Sequence, residues 1–448
     1  MDGSLILHRL GARRRVLLLQ GPGGLFFRKL AHYLRSAGCD VLQVNFNGGD
    51  EFFNSSMNTI SFRQAPDQWP AWLEALVWQE RIESIVLFGD CRPMHRAACR
   101  VAESLERQVL VFEEGYVRPG FVTCEADGVN ARSPVAARFV QEQPPLLGLM
   151  PLPNIRRIRM PKVGKAYRVA TQLAMGTQAA LYLLAMRVTR HRYPHYVHHK
   201  TFRLREEIRA LLVSCTRKAW YRITQTPLRR ALYGDLGRKS FVVPLQVFND
   251  SQITHHSLFV DQEQLVHEAI RSFARGSQAK DHLVFKHHPM DRGHRHYGRI
   301  IQAIAKQQGV SDRVHYIHDL RLPKLLPRTR GVVTINSTSG LSALYHGAPV
   351  KCLGKCLYDL PGLTHQGALD DFWQSAVAPL GSEVLRLRSL LAHEALVPGS
   401  FYLGGVTDGS ESLVVAKGEL SKDQWGRTFT KQTNFGNRQN IHAHPVLE

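Results

Sequence analysis

Short apolar runs alternate with stretches of helical period along most of the chain, and each run stops at glycine or at a polar cluster. Residues 16–19 (VLLL) are apolar throughout, as a strand buried on both faces requires. Gly21, Gly23 and Gly24 follow, then a helix-period segment over 25–37 that Gly38 stops. A second run ends at Asn45, with Asn47, Gly48, Gly49 and Asp50 in the equivalent turn. A helical stretch near 69–80, a strand over 84–90, a helix near 94–107 and a strand closing on Glu113 and Glu114 continue the series. It resumes with apolar runs at 242–247 and 283–285 and a strand, turn and helix over 331–350. Alternation of this kind predicts parallel sheets with right-handed crossovers, hence an α/β fold with two Rossmann-type halves.

Between the halves the pattern changes. Pro151, Pro153 and Pro161 interrupt it, and Arg156, Arg157, Arg159, Lys162, Lys165 and Arg168 form a basic run. Residues 169–186 are then eighteen positions without a charge, at the lower limit for a membrane span. Thr171, Gln172 and Gln178 give this segment a polar side, so an interfacial helix and a buried core helix compete with a true span, which the polar side disfavours. The expected organisation is a first Rossmann-like domain over 1–150, a basic helical linker over 151–238, a second Rossmann-like domain over 239–400 and a tail over 401–448, partly disordered from about Ser421.

Composition sharpens this picture. In 448 residues, 58 Lys+Arg against 37 Asp+Glu leave a net charge of +21, which favours polyanions or an anionic membrane surface. No helix-turn-helix, zinc-finger or aromatic-interleaved basic motif supports nucleic acid as the partner. Seven scattered cysteines argue against a disulfide framework and for a reducing compartment. The N-terminal residues lack a signal-peptide pattern, so a cytoplasmic location is expected.

The strand ends carry the chemistry. In open α/β sheets ligands sit outside the carboxyl ends of the strands. There the second half places Gln246 and Asp250, then Lys286 and His288, then Asn336, Ser337 and Thr338. Ser337 or Thr338 is suited to cap the following helix, whose free amides hold an anion. A carboxylate, a cationic pair and a helix start together suit a sugar activated by a phosphate leaving group. Asp250 also reads as a plain turn-forming Asx residue, and Lys286 and His288 as a surface lysine and a satisfied loop histidine. Adjacent carboxylates Glu113 and Glu114 point to opposite sheet faces, so at most one looks into a crevice; both also read as a solvated pair with Arg118. Gly21, Gly23, Gly24 and Asn47 either touch a substrate or only admit close packing. Asp370 and Asp371 read as a helix N-terminal acidic pair rather than metal ligands, and no metal constellation is present.

Two α/β halves around a crevice suggest a GT-B-like architecture with a basic helical insertion. The segments QGPGGLFFRKLAHYL, VNFNGGDEFF, FEEGYVRPG, VPLQVFNDSQI, FKHHP, INSTSGLSALYHGAPVKCLG and YDLPGLTHQGALDDFW, in that order, resemble the bacterial capsular-polysaccharide β-Kdo transferases of the KpsS/LipB type. The resemblance spans roughly residues 14–375. It implies a cytoplasmic, membrane-associated, metal-independent glycosyltransferase without a cofactor. Such an enzyme takes Kdo from CMP-Kdo to a phosphatidylglycerol-type lipid, alongside other capsule synthesis and export proteins. It further implies that Gln246, Lys286, His288, Asn336, Ser337 and Thr338 hold CMP, that Asp250 is the nucleophile, and that Glu113, or less favourably Glu114, is the acid/base. His287 is given no role. A non-catalytic export component and a transferase for another nucleotide sugar are the alternatives.

Overall fold

The computed structural model describes residues 3–55, 58–118, 120–141, 165–198, 204–404 and 406. The basic run over 151–162 and the tail beyond 406 lie outside the described residues. The first half forms β1 (Arg15–Leu18), β2 (Asp40–Asn45), β3 (Thr59–Ser61), β4 (Ser84–Phe88), β5 (Gln108–Glu114) and β6 (Phe121–Ala126). The second forms β7 (Ser240–Pro244), β8 (His282–Lys286), β9 (Val314–Ile317), β10 (Gly331–Thr334) and β11 (Val350–Cys352), and β12 (Leu396–Pro398) follows. The sheets run β12-β6-β5-β4-β1-β2-β3 and β11-β10-β7-β8-β9.

The strands form where β-branched and aromatic residues run on without polar alternation. Every residue of β7 is buried, and β10 likewise, because helices cover both faces of the sheet. One core lies on each face of each sheet. One of them also takes in Tyr116, Val117, Val135 and Phe139 from the first half, so an apolar seam joins the halves. Arg386 clamps it, donating to the Phe139 carbonyl at 2.6 Å with its guanidinium 3.5 Å from the Phe139 ring centroid.

Two features depart from the expected layout. The first sheet is not wholly parallel: Gly115 turns the chain so that β6 returns antiparallel to β5, with Glu113 opposite Thr123. The boundary at 400 also shifts, since β12 pairs antiparallel with β6 and Phe401 packs edge-on to Phe26 at 4.8 Å. The chain ends its described course in the domain where it began. An apolar strand at a sheet edge gains pairing and burial there that a solvated linker would forgo.

The uncharged middle segment forms the Lys165–Val188 helix. It is not a core helix, since only 6% of its Val169–Val188 window is buried. Leu173, Leu181, Leu184 and Val188 are exposed, while Tyr182 faces inward. A second long helix, Leu204–Thr224, leads towards β7.

Candidate active site

Each sheet reverses its direction of growth once. In the first, the chain builds β1, β2 and β3 one way and then places β4 on the other side of β1. In the second it builds β7, β8 and β9 and then sets β10 on the far side of β7. The loops leaving β1 and β4, and those leaving β7 and β10, therefore splay apart and open two clefts at switch points. Loops of the two halves touch there: Cys91 Sγ after β4 lies 3.5 Å from His256 Nε2 of the second half, and Gln252 Nε2 donates to the same sulfur at 3.6 Å.

The second switch point is a closed hydrogen-bond set. Gln246 Nε2 donates to Asp250 Oδ2 and to Asn336 Oδ1, both at 3.1 Å, bridging the β7 and β10 loops. Asn336 Nδ2 donates to the Gln252 carbonyl at 2.8 Å. Asp250 caps the short Ser251–His256 helix, its Oδ1 accepting from Gln252 N at 3.0 Å. The Asx-type role is thus present, yet it uses one oxygen, and a carboxylate has lone pairs beyond these two contacts. Ser337 is the cap of the Thr338–Tyr345 helix, its Oγ accepting from Ser339 N at 3.1 Å, and Thr338 is the first helical residue.

Beside this set, β8 delivers the cationic pair. Lys286 is buried, and its Nζ donates to the His287 carbonyl at 3.1 Å; burial pulls its pKa down to about 8, which leaves it charged at neutral pH. His288 Nδ1 accepts from Met290 N at 3.3 Å, so the neutral tautomer carries its proton on Nε2 and offers a donor there. Burial, then Lys286 and Arg118, push its pKa to about 4 and keep it neutral.

His287 is a structural support beneath the loop. Its ring lies 4.3 Å from that of His318, which stacks at 3.9 Å on Tyr221 of the Leu204–Thr224 helix. Asp291 Oδ2 accepts from Phe248 N at 2.8 Å and ties the β8 loop to the loop that carries Asp250.

The first switch point is built differently. Glu113 Oε1 accepts from Glu114 N at 2.9 Å, and burial pushes the Glu113 pKa up to about 7. Its other oxygen faces Gly89, where φ is +69° and an added Cβ would stand 3.3 Å from it. Glu114 turns to the other face and pairs with Arg118 at 3.5 Å. Of the adjacent acids, Glu113 is the one at the crevice.

Gly23, Gly24 and Asn47 lie under the Lys165–Val188 helix, and Gly21 packs against the Phe26–Ser36 helix. A Cβ on Gly21 would stand 2.8 Å from the Phe27 ring, one on Gly23 3.4 Å from the Tyr182 ring, and one on Gly24 would run into Gln178. Gly48 and Gly49 meet Thr189 and Tyr182 in the same way. Close packing, the second of the two readings, accounts for these glycines. Asn47 caps the Gly48–Asn54 helix and donates from Nδ2 to Tyr182 Oη at 2.8 Å. Asp50 accepts from that tyrosine at 2.8 Å and from Phe46 N at 3.0 Å, and burial raises its pKa to about 6.

Sequence reading placed Asp50 in its turn without a separate role and passed over Arg92, Tyr182 and Asp291. A signal existed only for Arg92, in the Gly89-Asp90-Cys91-Arg92-Pro93 break after a buried strand; its weight depends on β4 lying beside β1. Asp370, by contrast, behaves as expected: it sits in the first turn of the Leu369–Ser375 helix and pairs with Arg275 at 3.0 Å.

The model of the family described as "capsule polysaccharide biosynthesis protein" matches residues 83–402. The chain belongs to that family. Within the capsule family it is 39% identical to the Escherichia coli protein called capsule polysaccharide export protein KpsS, over 90% of this chain and 100% of that one. It is 36% identical to the capsule polysaccharide modification protein LipB of Neisseria meningitidis serogroup A, over 88% of this chain and 93% of the other. The resemblance to the KpsS/LipB type therefore holds over most of the chain. Among solved structures, Thermosulfurimonas dismutans KpsC, titled a beta Kdo 2,7 transferase, superposes loosely, with a TM-score of 0.39 and 15% identity over 85% of this chain and 89% of that one. The span matched to the capsule family starts at the foot of β4 and takes in both switch-point acids, Glu113 and Asp250, but not the glycines beneath the long helix.

Proposed function

We propose that this capsule family member is a retaining β-Kdo glycosyltransferase that moves Kdo from CMP-Kdo to a (lyso)phosphatidylglycerol acceptor, starting the Kdo linker of a capsular polysaccharide. The observation that carries this reading is the pair of switch points across one crevice, with hydrogen-bonded Asp250 on one wall and Glu113, its pKa raised to about 7, on the other. The donor's CMP lies along Lys286, the His288 Nε2–H and the amides that follow Ser337. Asp250 attacks C2 of Kdo, a C2–O(Asp250) bond forms as C2–O(P) breaks, and CMP leaves as an anion. The positive charge and amides stabilise that anion, so no acid is needed. Glu113 then takes the proton of the acceptor hydroxyl, whose oxygen displaces Asp250 from C2. Two inversions give net retention, the logic of paired carboxylates in retaining glycosidases.

The exposed apolar side of the Lys165–Val188 helix, with Arg187 and Arg190 at its end, suits attachment to an anionic membrane surface from the cytoplasmic side, where a lipid acceptor is met. Other capsule synthesis and export proteins are the expected neighbours there. The test is mass spectrometry of a fluorescent phosphatidylglycerol analogue incubated with the purified protein and CMP-Kdo generated in place. A gain of one Kdo mass is expected. No gain with CMP still bound points to another donor or acceptor, and no CMP binding favours a non-catalytic role in export.

A further inference from the structure

Among the described residues, Arg92 stands at the first switch point with no ion pair of its own. It follows β4 and directly precedes the Pro93–Ser104 helix, which no side chain caps. Its Nη1 donates to the Gln20 carbonyl at 3.3 Å, to Gln20 Oε1 at 3.1 Å and to the Gly21 carbonyl at 3.3 Å. Its guanidinium also lies 5.1 Å from the centroid of the Phe88 ring. These contacts fix the plane of the group, and all of them come from uncharged partners.

Among the described residues no protein acceptor is bonded to the Nε or Nη2 of Arg92, whose hydrogen bonds all leave from Nη1. Two acids stand near. Asp50 spends its oxygens on Gln20, Phe46, Asn47 and Tyr182. Glu113 is raised to about 7 by burial, so at neutral pH it is only partly ionised. Burial lowers the pKa of Arg92 as well. A partly desolvated guanidinium in that position is costly until an anion reaches it.

We propose that Arg92 is the anion anchor of the crevice, taking a substrate carboxylate or phosphate on its Nε and Nη2 edge between the Gly21 loop and Glu113. The flat two-pronged edge of arginine matches either group. The proposal rests on the transferase reading only for the source of the anion, which is the carboxylate of the sugar acid or the phosphodiester of the lipid acceptor. The need for an anion comes from the switch-point geometry itself.

The test titrates wild type, Arg92→Lys and Arg92→Gln with free Kdo and with glycerol 3-phosphate, each with and without CMP, by ligand-observed NMR. Wild type is expected to bind one of the two probes, and the one bound names the source. Arg92→Gln should weaken that binding about tenfold or more, with Arg92→Lys between the two and CMP affinity unchanged in all three. Equal affinity in Arg92→Gln and wild type overturns the proposal, and so does a wild type that binds CMP but neither probe. A wild type that fails to bind CMP counts against the donor reading alone, because the titration without CMP still decides on Arg92. Should Arg92→Gln not fold, Arg92→Lys decides instead, since a lysine does not reproduce a bidentate grip; unchanged affinity there overturns the proposal.

Discussion

At the switch point between β7 and β10, Gln246 bridges Asp250 and Asn336 through bonds of 3.1 Å and so ties two loops into one fixed surface. At the one between β1 and β4, Arg92 is held only by uncharged groups and Glu113 is kept partly neutral by burial. The contrast separates two tasks. Holding a nucleotide calls for a surface already in place, whose bonds are made before the ligand arrives. Moving a proton near neutral pH calls for an acid whose pKa lies there, and that state is reached by withholding solvent and partners.

Substituting the two carboxylates breaks the contrast most sharply. Asp250→Asn keeps a side chain that caps the Ser251–His256 helix, so the fold and CMP affinity should hold while transfer falls by about a thousandfold or more. Glu113→Gln should cost about 10²–10⁴ in rate. It should also erase an acid limb: in wild type, transfer falls as pH drops through about 7, because the base must be deprotonated and Glu113 takes up its proton there. Pre-steady-state transfer measured across pH checks both, and full activity in Asp250→Asn would remove the nucleophile role.

A smaller effect belongs to the donor wall. Lys286→Gln should weaken CMP about tenfold at pH 7. In wild type, CMP affinity should decline as pH rises through about 8, where the buried ammonium loses its proton. Calorimetric titration at several pH values reads this directly, and a flat profile would detach Lys286 from the phosphate.

The smallest effect sharpens the comparison by sparing one wall. Tyr182→Phe removes a hydroxyl that Gln20, Asn47 and Asp50 share, at a cost of about 1–3 kcal/mol of unfolding free energy in urea. CMP affinity should not change, because none of those bonds reaches the second half.

Much of this arrangement was legible in residue order, for a physical reason. A strand buried on both faces leaves an unbroken apolar run, and a ligand-facing loop follows it directly, so Gln246, Asp250, Lys286 and the Ser337 cap stand within a few positions of their strands. Alternation of side chains along β5 allowed only one of Glu113 and Glu114 to face the crevice, and the choice of Glu113 came from the family resemblance. What stayed hidden depends on which strands become neighbours. Arg92 matters because β4 pairs with β1, and local periodicity does not carry that order. Asp50 and Tyr182 are 132 positions apart, and the glycines between which the helix settles carry no mark of what covers them. The antiparallel return of β12 escaped notice because three residues are too few for a period to show.

The floor of glycines under the Lys165–Val188 helix has a mechanical consequence. Contact there is backbone against side chain, with Tyr182 and Thr189 resting directly on Gly23, Gly48 and Gly49. From Tyr182 on the helix, a bond of 2.9 Å leads to Gln20, and one of 3.1 Å leads from Gln20 to Arg92. The same helix thus turns an apolar side to the outside and stands two hydrogen bonds from the guanidinium on the inside, so whatever covers Leu173, Leu181, Leu184 and Val188 sits two links from Arg92.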